Sequence, residues 1–164
     1  MIILGIDPGI ATTGYGVIRK IGSQKTKNRK SLKCLEYGCI KTDPKSAASE
    51  RLKKIHKKLT EIITQHQPSI LAVESLYFFK NLKTAIPVSQ AKGVILLAAA
   101  QKKIPVVEFT PLQVKMVITG YGRAEKKQVQ KKIKTLLKLK ELPRPDDAAD
   151  ALAIALCYTI LKKR

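Results

Sequence analysis

Acidic side chains are scarce in this chain: twelve Asp and Glu stand against thirty-two Lys and Arg in 164 residues, a formal net charge of +20. Such an imbalance repels itself in a compact monomer and is usually kept for a polyanionic partner, with nucleic acid the first candidate. Cysteine is sparse too. Cys34, Cys39 and Cys157 fit neither a disulfide framework nor a paired zinc-ligand spacing, so reduced thiols in a cytoplasm, buried as small hydrophobes, are expected. Only two histidines are present. His56 and His66 lie on or near a lysine-rich segment with no acid or nucleophile placed beside them in sequence, which argues against Ser-His-Asp or Cys-His catalysis and for surface positions. No apolar run reaches the ~20 residues of a membrane span, and the start of the chain has neither a basic stretch nor a small-residue cleavage site; a soluble, unexported protein is expected. The basic segments also lack the aromatic-rich apolar face of interfacial helices.

The length suits a single domain over residues 1–164, and 45% hydrophobic content suits a globular core. The positive charge is clustered rather than spread. Lys25, Lys27, Arg29, Lys30 and Lys33 share one segment, Arg51, Lys53, Lys54, Lys57 and Lys58 another, and a third runs from Arg123 to Lys140 with Glu125 as its opposing acid before Lys140.

"IILGID" and "GYGVIRK" read as strands joined by a Pro-Gly turn, and "SLKCLEYGCIKT" as a third strand beyond the basic loop 21–31, which either touches a phosphate backbone or is a disordered tip. Leu52, Ile55, Leu59, Ile62 and Ile63 recur at helical spacing between Ser46 and Gln67. The strand "SILAVE" follows, then a loop with "SLYFFKN", a helix from about Thr84 to Lys103, the strand "VVEFT", and helices through "LQVKMVI", "AEKKQVQKKIKTLLKLK" and "PDDAADALAIALCYTILKK". The fold class is therefore α/β: a five-stranded mixed sheet, antiparallel meander first and parallel strands after, with helices on both faces. That order resembles the ribonuclease H-like superfamily, although fold alone does not settle function.

The few acids are placed unusually. Asp7 ends the apolar run "IILGI" as Glu74 ends "ILAV", and Asp147 and Asp150 sit three apart on the last helix, on one face of it. Four of twelve acids can thus meet at one point, where repulsion and burial raise their pKa values unless a cation is supplied. Hard divalent ions such as Mg²⁺ take oxygen ligands of this kind. Each acid also has a plainer reading. Asp7 can cap the turn at Pro8 and Gly9, Glu74 can cap a strand end, and Asp146 and Asp147 open a helix whose dipole favours carboxylates by ~0.3–1 kcal/mol each. Asp150, past the first turn among alanines and leucine, is poorly explained by capping. The glycines Gly9, Gly14 and Gly16 form no dinucleotide fingerprint. They look like the phosphate loop of actin-like ATPases and sugar kinases, whose second lobe a chain this short cannot supply.

"GIDPGIATTGYGVI", "LAVESLYFFKN", "SQAKGVILLAAA", "TPLQVKMVITGYGRAEKKQVQ" and "DDAADALAIAL" together resemble the RuvC family of Holliday-junction resolvases, in the family's order and over nearly the whole chain. The resemblance implies that Asp7, Glu74, Asp147 and Asp150 are both the catalytic and the metal-binding quartet, holding two Mg²⁺ (or Mn²⁺) ions. It also implies that Lys115 and Lys126 lie near the scissile phosphate and that Tyr77 stacks on junction bases. This chain departs from the pattern in three places. Asp146 directly precedes the D-A-A-D run, so its membership in the metal site stays open. Tyr77 stands where phenylalanine is usual and is followed by Phe78 and Phe79, so the stacking ring stays open. The basic loop 21–31 looks long and has no family role.

The resemblance further implies two-metal phosphodiester hydrolysis, with ions ~3.5–4 Å apart and no covalent intermediate. A nick with a 5′-phosphate and a 3′-hydroxyl would result. The implied substrate is four-way junction DNA in recombination and repair, and its symmetry calls for a homodimer with two sites. The helix with "GVILLAAA" is the candidate interface, or packs only on its own sheet. RuvA and RuvB, the branch-migration proteins, are further candidate partners. Two rival readings remain: a ribonuclease H-like nuclease acting on RNA–DNA hybrid, and a non-catalytic nucleic-acid binding module.

Overall fold

The computed structural model describes residues 1–22, 31–75 and 82–162. Tyr77, Phe78, Phe79 and most of the basic loop 21–31 lie outside the described residues. The strands are β1 (Ile2–Asp7), β2 (Thr12–Ile21), β3 (Ser31–Lys41), β4 (Ile70–Glu74) and β5 (Val106–Phe109); the helices are α1 (Ala48–His66), α2 (Leu82–Gln101), α3 (Pro111–Thr119), α4 (Lys126–Leu137) and α5 (Asp146–Leu161). One sheet contains all five strands in the order β3-β2-β1-β4-β5, with β1–β2 and β2–β3 antiparallel and β1–β4 and β4–β5 parallel. The expected mixed sheet is the observed one.

Side-chain parity assigns the two faces. Successive residues of a strand point to opposite sides. Leu4 and Ile6 of β1 and Leu71 and Val73 of β4 pack with Ile55, Leu59, Ile63, Ala91 and Ile95 of α1 and α2. Ile3 of β1, Ile18 of β2 and Ala72 of β4 pack with Val114, Val129, Ile133 and the apolar face of α5. A bulge opposite Val17/Ile18 flips β3: Cys34 joins the α5 core, whereas Ile40 joins the α1 core.

Glycine sets how closely α5 approaches the sheet. A Cβ at Gly5 would overlap the carbonyl oxygen of Ala151, and one at Gly14 the carbonyl oxygen of Asp147. Ala148, Ala149, Ala151, Ala153 and Ala155 keep the helix equally slim, and each is buried. Backbone therefore rests almost on backbone.

Local chemistry fixes the remaining ends. Thr110 caps α3, its hydroxyl accepting from the Gln113 amide at 3.1 Å while the Gln113 side chain accepts from the Thr110 amide at 2.9 Å. Gly120, at φ 81°, terminates α3 in the left-handed region that glycine adopts freely. The lysine-rich helix is shorter than its periodicity suggests, because Lys138 turns left-handed and closes it after Leu137.

His66 corrects a sequence expectation. Its side chain is only 13% exposed, and its Nε2 lies 2.6 Å from Glu36 Oε2. Tyr15 donates to the other Glu36 oxygen at 2.8 Å. An acid thirty residues away in sequence reaches the histidine because β3 runs beside the end of α1, a proximity that spacing does not reveal.

Candidate active site

Asp7 and Glu74 end neighbouring parallel strands, one residue beyond the Ile6–Val73 pair. Asp7 shares its face with Ile3 and Gly5, and Glu74 with Ala72, so both project toward α5. Their carboxyl groups share a hydrogen bond. Burial pushes the Asp7 pKa up to about 8, and repulsion from Glu74, Asp150 and Asp147 adds to it. Glu74 is also raised, by burial first and by Asp150, against the opposing pull of the Asp7 hydrogen bond and of Lys126 and Lys92.

Asp147 and Asp150 come from the first turns of α5, above Gly14 and beside Asp7. Burial raises Asp150, while the hydrogen bond and charge of Lys126 act against that rise. Lys126 Nζ lies 3.0 Å from Asp150 Oδ2 and 3.3 Å from Asp146 Oδ2. A cleft of about 240 Å³ is lined by Glu74, Lys115, Lys126 and Asp150, with Pro111, Val114, Val129, Ala153 and Ile154 as its apolar wall. The fold thus gathers all four predicted acids and both predicted lysines about one sheet edge.

Asp146 goes elsewhere. Its side chain turns to α4, where Gln130 Nε2 donates to Oδ1 at 2.9 Å and Lys126 approaches Oδ2. The pair of strand-end acids is answered on α5 by Asp147 and Asp150, the register in which the helix faces the sheet.

The donor set suits a hard divalent cation. All four groups offer oxygen, and the raised pKa of Asp7 records burial first and anionic repulsion second, a cost of holding charge there that a cation relieves. Among the described residues, no group of three or more His, Cys, Asp or Glu is gathered tightly enough to hold an ion as it stands. Lys126 occupies Asp150, and Asp7 and Glu74 bind one another. Ion binding therefore requires side-chain rearrangement within the pocket.

Lys92 was not anticipated. Its side chain, 12% exposed on α2, pairs with Glu108 of β5 at 2.6 Å and lowers Glu74 through its charge. The one available signal was a lone cation inside the apolar run "AKGVILLAAA".

A ribonuclease H-like sheet with acids at the carboxyl ends of β1 and β4 and on the last helix defines a class of nucleic-acid-processing domain. Within that class, the chain belongs to the RuvC family: the family model for crossover junction endodeoxyribonuclease RuvC matches residues 3–158. The chain is 53% identical to crossover junction endodeoxyribonuclease RuvC of Desulforamulus reducens over 158 residues, covering 96% of this chain and 93% of that protein. The corresponding protein of Finegoldia magna is 51% identical, with 96% and 92% covered. Among solved structures, Thermus thermophilus RuvC in complex with Holliday junction substrate superimposes with a TM-score of 0.90 at 36% identity, over 99% of this chain and 95% of that one. The yeast mitochondrial Holliday junction resolvase Ydc2, at 12% identity and a TM-score of 0.66 over 98% of this chain and 80% of that one, shares the fold.

Proposed function

We propose that this chain is a crossover junction endodeoxyribonuclease that resolves Holliday junctions by paired symmetric nicks in DNA recombination and repair. The observation that carries the proposal is the half-buried Asp7–Glu74 pair facing Asp147 and Asp150 in a chain of net charge +20. Asp7, Glu74, Asp147 and Asp150 would hold two Mg²⁺ ions, with Mn²⁺ as the alternative. Such ions, when bound, activate water and neutralise charge on the leaving 3′ oxygen.

The protein's own groups do the rest. The acids, on rigid strand ends and a tightly seated helix, orient the oxygen donors. Lys115 and Lys126, on the wall of the same cleft, hold the phosphate and offset its developing charge. Tyr77, Phe78 or Phe79, just beyond Glu74, supplies a ring for an unstacked junction base, where stacking contributes ~1–3 kcal/mol.

A four-way junction needs two cuts, and a homodimer supplies two sites. Helix α2 buries Ala91, Ile95, Ala98 and Ala99 on its own domain yet leaves Ile86 66% and Leu97 52% exposed, a face suited to a second copy. RuvA and RuvB remain candidate partners through family membership. No helix among the described residues is long and apolar enough to cross a membrane, which accords with action on DNA in the cytoplasm.

Junction cleavage by the purified protein, titrated with Mg²⁺ beside an Asp7→Asn control and in competition with an RNA–DNA hybrid, tests the proposal. Metal-dependent paired nicking of the junction, lost in the control, is expected. Preferential hybrid cleavage, or an equally active control, overturns it.

A further inference from the structure

Asp146 takes no part in the pocket of Asp7, Glu74, Asp147 and Asp150, yet both of its oxygens are engaged. Oδ1 accepts from Gln130 Nε2 at 2.9 Å, and Oδ2 lies 3.3 Å from Lys126 Nζ. Lys126 and Gln130 are four residues apart on α4 and so share a face. Gln130 is only 9% exposed, which fixes its amide, whereas the Asp146 side chain remains 61% exposed. Interaction with the α5 dipole explains a carboxylate at this position; it does not explain why that carboxylate turns sideways onto a second helix.

Lys126 is therefore suspended between two acids of different kinds. Asp150, at 3.0 Å, belongs to the pocket, and Asp146 does not. If cations were to claim Asp150, the ammonium would lose that partner. A lysine stem is flexible, so without another anchor the charge would spread over many rotamers or return to compete for Asp150.

We propose that Asp146, itself held by Gln130, is a positioning residue for Lys126: it retains the ammonium at the rim of the cleft when Asp150 is taken by the reaction. This rests on the reading that Lys126 acts on the phosphate. Asp146 touches no reacting atom in this scheme, and its influence passes through Lys126.

A double-mutant cycle tests it, using the full chain with Asp146→Ala, Lys126→Ala and the pair, and with Asp146→Glu as the conservative variant. Single-turnover junction cleavage is measured in Mg²⁺, junction affinity in Ca²⁺, and the thermal midpoint as a check on folding. Asp146→Ala is expected to slow cleavage about tenfold with affinity changed less than about twofold, a loss confined to turnover. In the Lys126→Ala background the same change should have no further effect, and Asp146→Glu should restore most of the rate. An Asp146→Ala enzyme as fast as the parent, or one that slows Lys126→Ala by the same factor, overturns the proposal. If Lys126→Ala cleaves like the parent while Asp7→Asn is inactive, the positioning role falls and the assignment of the acidic pocket stands.

Discussion

The carboxyl groups of Asp7 and Glu74 share a hydrogen bond across two adjacent parallel strands, at the edge where both strands end. Two acids meet this way only if one carries a proton or a cation joins them, so the pair couples protonation to stability.

Loss of the Asp7 charge should stabilise the metal-free protein in alkali. The Asp7 pKa is about 8 in the folded protein, above its unfolded value of ~3.9. Between those values the folded state binds more protons than the unfolded state, and stability falls as pH rises through the window. Asp7→Asn removes that fall. In EDTA, urea unfolding should show the variant more stable than the parent by several kcal/mol at pH 9, with little difference at pH 4. Parallel pH profiles for the two proteins would contradict this. Mg²⁺ at pH 9 should stabilise the parent more than the variant.

Gly14→Ala should damage both stability and cleavage. The added methyl would meet the Asp147 carbonyl, so the first turn of α5 must lift from β2. Overpacking of this kind costs ~1–3 kcal/mol, read as a lower urea midpoint. Displacing Asp147 and Asp150 by about 1 Å should cut turnover roughly a hundredfold. Full activity in a stably folded Gly14→Ala protein would show that the close seat of α5 is not needed.

Leu97→Glu should prevent the proposed dimer from forming. Leu97 is half-exposed on α2, so the substitution leaves the domain's own core intact. Sedimentation is expected to show a single protomer, and a supercoiled cruciform plasmid should be nicked on one strand rather than linearised. A dimeric Leu97→Glu protein would move the interface off this face.

Glu36→Gln should weaken the tie between β2, β3 and α1. The hydrogen bond with His66 holds Glu36 below the usual glutamate range, with Tyr15 assisting and burial opposing. A depressed acid adds stability above its unfolded pKa and loses it as pH falls through the folded value. The substitution should cost about 1 kcal/mol at pH 7. That difference should shrink toward pH 3; a constant difference across the range would assign the effect to packing instead.

The sheet was legible because period-two alternation in β1 and β4 and period-3.6 spacing in α1 are written locally. Asp7 and Glu74 could be picked out as anomalies, charges closing apolar runs in a chain poor in acid. Lys92 and the Glu36–His66 pair were less accessible: each depends on two elements packing side by side, and no spacing along the chain encodes that distance. The position of Asp146 was similarly open, since two consecutive aspartates at a helix start differ in role only through the rotation of that helix against the sheet.

Composition and periodicity settle the element order, the excess of positive charge, and which acids are out of place. Tertiary structure alone decided that Asp7 and Glu74 share one face, that Gly5 and Gly14 let α5 descend far enough to bring Asp147 and Asp150 to them, and that Asp146 turns aside to Lys126. Those outcomes depend on backbone separation and helix rotation, quantities fixed by packing between distant segments rather than by any one stretch of chain.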